Sequence, residues 1–240
     1  MTSLYSSTPS SSSSSSSSVV PSTYPRLRLG SLAPDFEADT TLGRIRFYDW
    51  IHGSWGILFS HPADFTPVCT TELGEAARRK EAFRKRNVRM VGLSVDGLED
   101  HEDWVTDIEE VGRVHLDFPI IADKDRVISR LYHMLDTVDH DPANIGQGGV
   151  PMTVRSVFIV DPSHKIRLIL TYPASCGRNF DEILRVIDSL QLTDKRQVVT
   201  PSDWKPGQPV LIHPSVSNED AKIIFGDYQA IRPYYRLTQL

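Results

Sequence analysis

The chain is poor in cysteine: Cys69 and Cys176 are the two in 240 residues. That count excludes a disulfide-built scaffold and favours a reducing compartment. Long apolar runs are missing as well. None approaches the roughly 20 residues that a membrane-spanning helix needs, so no stable membrane insertion is expected. Charge of one sign is not in large excess, with a formal net charge of −5. Nucleic acid is therefore not an expected partner. No Cys-x-x-Cys pair occurs, because Glu72 stands three residues after Cys69, which argues against a thiol–disulfide oxidoreductase. The first 25 residues hold no apolar core of the secretory kind.

What is present is a serine-rich segment followed by the composition of a folded domain. Residues 1–25 include an unbroken serine run from Ser10 to Ser18; such a segment buries too little apolar surface to offset its ordering entropy and is expected to be mobile. It carries no acidic residue, as a mitochondrial transit peptide would, but its first basic neighbour is Arg26. Transit peptides are arginine-rich, so a cytoplasmic location is expected, with the mitochondrion as the alternative. From Arg26 the hydrophobic content of 40% and charged content of 24% overall suit a soluble domain with a substantial core.

Strand and helix patterns alternate along that domain. Short strands are expected at Ala33–Phe36 and Ile45–Tyr48, then buried strands at Trp55–Ser60 and Val88–Val95. Helices are expected at Glu72–Arg86, Glu99–Val111, Val127–Met134 and Phe180–Leu190. Phe118–Asp123 reads as a further strand, and Thr153–Val160 with Ile166–Tyr172 as a hairpin. The basic residues Arg78, Arg79, Lys80, Arg84, Lys85 and Arg86 alternate with Glu75 and Glu81, so they read as a solvated helix face of mixed-sign pairs. Residues 136–149 are polar and glycine-rich and read as an exposed loop. His133, Asp136, Asp139, His140 and Asp141 fit no zinc spacing, and no metal is expected there. The result is a mixed α/β sheet with helices on its faces over residues 26–192. Residues 193–240 form a proline-rich extension with one short helical candidate, Glu219–Phe225, and enough apolar residues to need packing against the main domain or a partner subunit.

One stretch concentrates the chemistry: His61-Pro62-Ala63-Asp64-Phe65-Thr66-Pro67-Val68-Cys69-Thr70-Thr71-Glu72. It lies between a buried strand and a helix, which puts Cys69 in a first helical turn behind Pro67. Unpaired amides and the helix dipole favour an anion at such a position, and a thiolate is the nucleophilic form of cysteine. Alternatively Cys69 is a small buried apolar filler.

The spacing Pro62-x-x-x-Thr66-x-x-Cys69 matches the peroxiredoxin signature, and from about Arg26 almost to its end the chain resembles the one-cysteine subfamily. Gly92-Leu93-Ser94-Val95-Asp96 with His101 and Trp104 carries the resemblance further, as do Arg155 at a strand start and Tyr172 to Glu182. Thr200-Pro201-x-Asp203-Trp204-Lys205-Pro206-Gly207 is similar to that subfamily too. The resemblance implies a thioredoxin-like fold and a thiol peroxidase that reduces hydrogen peroxide and organic hydroperoxides through a Cys69 sulfenic acid, without a cofactor. It implies that Arg155 lies against the cysteine, that His61 lies close to the sulfur, and that Arg178 sits at the active-site rim. The catalytic set is then Cys69, Thr66, Arg155 and Pro62, supported by His61, Glu72 and Arg178. Glu72, one turn from Cys69, either orients Arg155 or serves ordinary helix-start electrostatics. The extension is implied to reach across a homodimer. A redox-sensing or chaperone module on the same fold is the alternative reading.

Two departures from relatives are informative. Cys176 stands where relatives commonly carry threonine and lacks the setting of a resolving cysteine; it reads as structural, with a resolving role as the alternative, and an external thiol reductant, glutathione or a thioredoxin, is implied. Some relatives also hydrolyse phospholipids with a serine, histidine and aspartate. Here Ser54 survives, but Tyr48 and Ser163 occupy its partners' positions, so no lipase activity is expected.

Overall fold

The computed structural model describes residues 26–135, 145–146 and 150–240. The serine-rich segment, the polar loop's bulk and the candidates Asp136, Asp139, His140 and Asp141 lie outside the described residues.

The first structured turns differ from the expected strand pair. Strands β1 (Glu37–Ala38) and β2 (Ile45–Arg46) pair antiparallel, and the chain then coils at once into α1 (Phe47–Trp50). Phe47 and Tyr48 therefore begin a helix and do not continue the strand. The cause is local: the Tyr48 amide donates to Asp35 Oδ1 (3.0 Å), while Phe47 is fully buried, stacked on Phe36 with 5.0 Å between ring centroids.

Next come β3 (Trp55–Ser60), α2 (Pro67–Arg78), α3 (Lys80–Lys85), β4 (Val88–Ser94), α4 (Leu98–Gly112), β5 (Ile120–Ala122) and α5 (Val127–Leu131). The single helix expected over Glu72–Arg86 breaks at Arg79, whose ψ of 8° leaves the helical range and whose guanidinium reaches Asp181 at 3.0 Å. Its neighbours are tied into mixed-sign pairs: Arg84 with Glu81 and Asp117, and Arg86 with Asp188.

After the short pair β6 (Ile145–Gly146) and β7 (Val150–Pro151), the hairpin β8 (Arg155–Val160) and β9 (Ile166–Tyr172) leads into α6 (Phe180–Lys195). The central sheet has the order β5-β4-β3-β8-β9, parallel on the β5-β4-β3 side and antiparallel from β3 outward. All six residues of β3 and of β8 are buried, as expected of strands covered on both faces. One face packs against Leu73, Trp104, Ile108, Ile183 and Ile187 from the long helices; the other packs against Phe47, Ile51, Ile128 and Tyr132. Helices α2 and α4 meet at two glycines, where a Cβ on Gly112 would stand 3.3 Å from the Gly74 Cα and 3.0 Å from Val114 Cγ2.

The extension holds more regular structure than its sequence shows. β10 (Val198–Val199), β11 (Val210–Ile212), β12 (Gln229–Arg232) and β13 (Tyr235–Thr238) form a four-stranded antiparallel sheet in the order β10-β11-β13-β12, with α7 (Asn218–Phe225) beside it. Ser217 caps α7 by accepting the Asp220 amide. These strands are two to four residues long, too short for a period-2 pattern to stand out.

Candidate active site

β3 ends at Ser60, and the loop His61–Thr66 carries the chain to the start of α2. Pro67 is the first helical residue, Cys69 the third, and Thr66 the N-cap, with extended backbone (φ −114°, ψ 144°). Thr66 makes no capping bond with its side chain; its hydroxyl donates to the Ala63 carbonyl (2.9 Å). Within the loop Phe65 holds a left-handed φ of 53°, a sparsely populated region for a bulky residue.

The Cys69 sulfur is fully buried. Arg155, the first residue of β8, donates through Nη1 to Cys69 Sγ (3.3 Å) and to Glu72 Oε2 (2.7 Å). Its Nε and Nη2 both donate to the Ala174 carbonyl, at 2.8 and 2.6 Å. The guanidinium is thereby fixed from two sides. Glu72, one helical turn beyond Cys69, also accepts Arg178 Nη2 (2.6 Å), Arg178 Nε (2.9 Å) and the Arg178 amide (2.7 Å). Burial pushes the Glu72 carboxyl upward, but the Arg178 and Arg155 guanidiniums outweigh it and hold the group below its ordinary value.

Arg178 is not at the rim, as the resemblance implied. Its side chain is buried, its Nη1 donates to the Ser60 carbonyl (2.7 Å), and its guanidinium lies 5.0 Å from the Phe59 ring centroid. The reason is the buried Glu72 carboxylate, which accepts three hydrogen bonds from Arg178 and draws its guanidinium inward. Pro62 is buried beside His61 in the loop.

His61 is fully buried, and the one polar contact of its ring among the described residues is Nε2 to Asp64 Oδ1 (2.8 Å). The other oxygen of Asp64 meets His101 Nδ1 (2.5 Å), and His101 Nε2 faces the Ile121 carbonyl (3.1 Å). The His61 ring packs on Trp104, 5.0 Å between centroids, and Trp104 Nε1 donates to the Thr70 hydroxyl (3.2 Å) next to Cys69. His61, Asp64 and Asp96 bring polar atoms within 4.8 Å of one another. They do not make an open cation site: Asp96 Oδ2 already accepts the Asp64 amide and the Ser94 hydroxyl, and both Asp64 oxygens face imidazoles.

Two comparisons of sequence identify the chain's family. The model of the AhpC/TSA family matches residues 29–169, and that of the C-terminal domain of 1-Cys peroxiredoxin matches residues 189–224. The mitochondrial peroxiredoxin PRX1 of Saccharomyces cerevisiae is 55% identical over 219 residues, 91% of this chain and 83% of that protein. The chain belongs to the one-cysteine peroxiredoxins. It is a thiol peroxidase, an oxidoreductase, on a thioredoxin-like fold with an antiparallel C-terminal sheet. Human peroxiredoxin-6 is 52% identical over 203 residues, covering 83% of this peroxiredoxin and 88% of its relative. Among solved structures, a yeast mitochondrial 1-Cys peroxiredoxin, described for thiol resolution through glutathione and thioredoxin systems, superimposes with a TM-score of 0.83 at 55% identity. It covers 90% of this chain and all of that one. A cysteine-to-serine variant of peroxiredoxin 6 from Arenicola marina gives a TM-score of 0.83 at 43% identity, over 89% and 98% of the two chains.

Within this peroxiredoxin the geometry gathers Cys69, Arg155, Glu72 and Arg178 into one hydrogen-bonded set, with Thr66 at the same helix start; His61 belongs to a second set with Asp64 and His101. Sequence reading missed Ala174 and Asp64. A backbone carbonyl leaves no side-chain signature, whereas Asp64, three residues after His61 inside the motif, did offer one. Cys176 is exposed and its sulfur approaches the Gly177 carbonyl alone (3.9 Å) among the described residues. Ser54 Oγ bonds Asn87 Oδ1 (3.1 Å), and the Tyr48 hydroxyl donates to the Ala33 carbonyl, so neither is arranged as a base and its serine.

Proposed function

We propose that Cys69 is the peroxidatic cysteine of this thiol peroxidase and that Arg155 is its principal electrostatic partner. The observation that carries the reading is the single Arg155 Nη1 that meets both Cys69 Sγ and Glu72 Oε2 at the head of α2. The thiolate attacks the terminal peroxide oxygen; an S–O bond forms, the O–O bond breaks, and the departing oxygen leaves with the electron pair and takes a proton to become water or alcohol. Arg155 offers a fixed cation to the sulfur and to the charge that develops on the departing oxygen. Thr66 keeps its oxygen lone pairs available to the substrate while its proton is held by Ala63, and Pro62 stiffens the loop. His61 donates through Nε2 to Asp64 Oδ1 in the loop that precedes Cys69. Glu72 and Arg178 are positioning residues, since they act through Arg155.

The sulfenic acid is returned to the thiol by an external thiol, glutathione or a thioredoxin system. Thiol resolution through those systems in the yeast relative supports this, and Cys176 is exposed with no contact to the Cys69 set among the described residues. Residues 26–192 are proposed as the peroxidase domain and residues 193–240 as an extension at a homodimer interface, supported by Ile223 (82% exposed) and Tyr234 (73%). The mitochondrion is preferred to the cytoplasm, on the likeness to a mitochondrial relative.

Peroxide consumption by wild type and by Cys69→Ser, followed by mass spectrometry of the peroxide-treated protein, tests the reading. Loss of turnover and of the sulfenic acid in the variant is expected; equal rates would favour a chaperone module on the same fold.

A further inference from the structure

The hydrogen-bond partners around Asp64 fix where the protons sit. His101 is fully buried, and its Nε2 faces the Ile121 carbonyl, which can only accept; that nitrogen therefore carries a proton. Its Nδ1 faces Asp64 Oδ2. Asp64 is held in its anionic form, because the hydrogen bonds from His101 and His61 outweigh the upward push of burial. A carboxylate also only accepts, so His101 Nδ1 carries a proton too and the ring is an imidazolium. The same reasoning places a proton on His61 Nε2, opposite Asp64 Oδ1. His61 Nδ1 is buried and has no partner among the described residues. A second proton there would add a buried charge and a donor with nothing to receive it. His61 is accordingly neutral, with a bare lone pair on Nδ1.

Asp64 thus sits between one charged ring and one neutral ring. The other carboxyl group close by among the described residues is Asp96, whose Oδ2 accepts the Asp64 amide and the Ser94 hydroxyl. A neutral residue at position 101 would leave the Asp64 anion without its counter-ion, and His61 would become the group best placed to take up a proton.

We propose that His101 is a positioning residue for the peroxidase reaction: as the buried counter-ion of Asp64 it keeps His61 neutral, with Nδ1 free to accept the O–H of the bound hydroperoxide. The proposal rests on the reading of Cys69 and its loop as the reaction site. No proton is transferred to His61; the ring orients the substrate, and the displacement at sulfur balances as written above. The link to the sulfur runs through packing, since His61 lies on Trp104 and Trp104 bonds Thr70 beside Cys69. In the wrong protonation state His61 would present a donor where the substrate also presents one.

Nitrogen-15 NMR of the histidine rings in the full-length wild type at neutral pH tests the first half. Two protonated nitrogens on His101 and one unprotonated Nδ1 on His61 are expected; an unprotonated nitrogen on His101, or a protonated Nδ1 on His61, would overturn the proposal even if no variant folds. The pH profile of the rate with hydrogen peroxide tests the second half. His101→Gln is expected to protonate His61 and to slow the reaction roughly ten-fold or more near neutral pH, with recovery as the pH rises. Asp64→Asn added to His101→Gln removes the anion and is expected to restore the neutral ring and most of the rate, which a purely structural role would not do. A profile for His101→Gln that superimposes on wild type, or no rescue in the double variant, would overturn it. If instead Cys69→Ser consumes peroxide as fast as wild type, the reading of the site fails, while the ring-nitrogen spectra still report on the cluster.

Discussion

A carboxylate shared by two guanidiniums is the feature on which the residue-level chemistry turns. Glu72 accepts from Arg155 and Arg178 together, all three side chains being buried. Removing it leaves two like charges facing each other out of water, a change that costs about 3–5 kcal/mol. Glu72→Gln is therefore expected to lower the unfolding free energy by about that amount, measured by urea denaturation near neutral pH. The sign of the pH effect follows from the shift. Glu72 in the folded chain titrates below its ordinary value, so its contribution is fully present above the unfolded value of about 4.3 and is lost as pH falls through the folded one. The variant should show a flatter acid limb in stability against pH; an acid limb as steep as wild type would contradict this. Arg155→Lys keeps a charge but cannot reach Cys69, Glu72 and the Ala174 carbonyl at once. Its peroxide rate constant is expected to fall about 10²-fold in a stopped-flow assay, with a wild-type rate counting against the proposed role.

At the level of elements, α2 carries the cysteine and is braced by α4. The two approach through Gly74 and Gly112, and the Gly112→Ala methyl would meet Val114 Cγ2 at 3.0 Å. A loss of about 1–3 kcal/mol is expected on thermal unfolding, because the methyl must displace half-buried Val114 or the Gly74 backbone. Cys176→Thr, on the exposed turn before α6, is expected to change stability by less than about 0.5 kcal/mol and to leave turnover intact; slower recycling with glutathione would show that this thiol takes part. The start of α2 was legible in sequence, since Pro67 marks a first helical position and the following residues are strong helix formers. The buried strand β3 was legible as an apolar run, β4 as a buried strand, and β8 as one arm of a hairpin. What sequence left hidden has physical reasons. Phe47 and Tyr48 have the composition of a strand, yet Asp35 and the aromatic packing turn them into α1. Arg178 was expected at the active-site rim and not in the interior, because its partner, Glu72, lies 106 residues earlier.

For the whole molecule, the layered α/β order could be read from alternating patterns, whereas the four-stranded sheet of the extension could not. Its small core, Val198, Trp204 and Val210 with Leu192 and Phe225, joins residues whose spacing follows no single period. That sheet ends at β12, all four residues of which are exposed, and α7 presents Ile223 to solvent. These residues lie in the extension proposed above as a homodimer interface. Analytical ultracentrifugation is expected to find a dimer for wild type and a shift toward monomer for Ile223→Glu; identical sedimentation of the two would remove that face from consideration. One last consequence concerns the order in which the chain is made. Arg155 follows Cys69 by 86 residues and Arg178 follows Glu72 by 106, and contacts of such separation close late. A ribosome thus releases Cys69 well before the guanidinium that faces it exists, and the contact between them can form only once residue 155 has emerged.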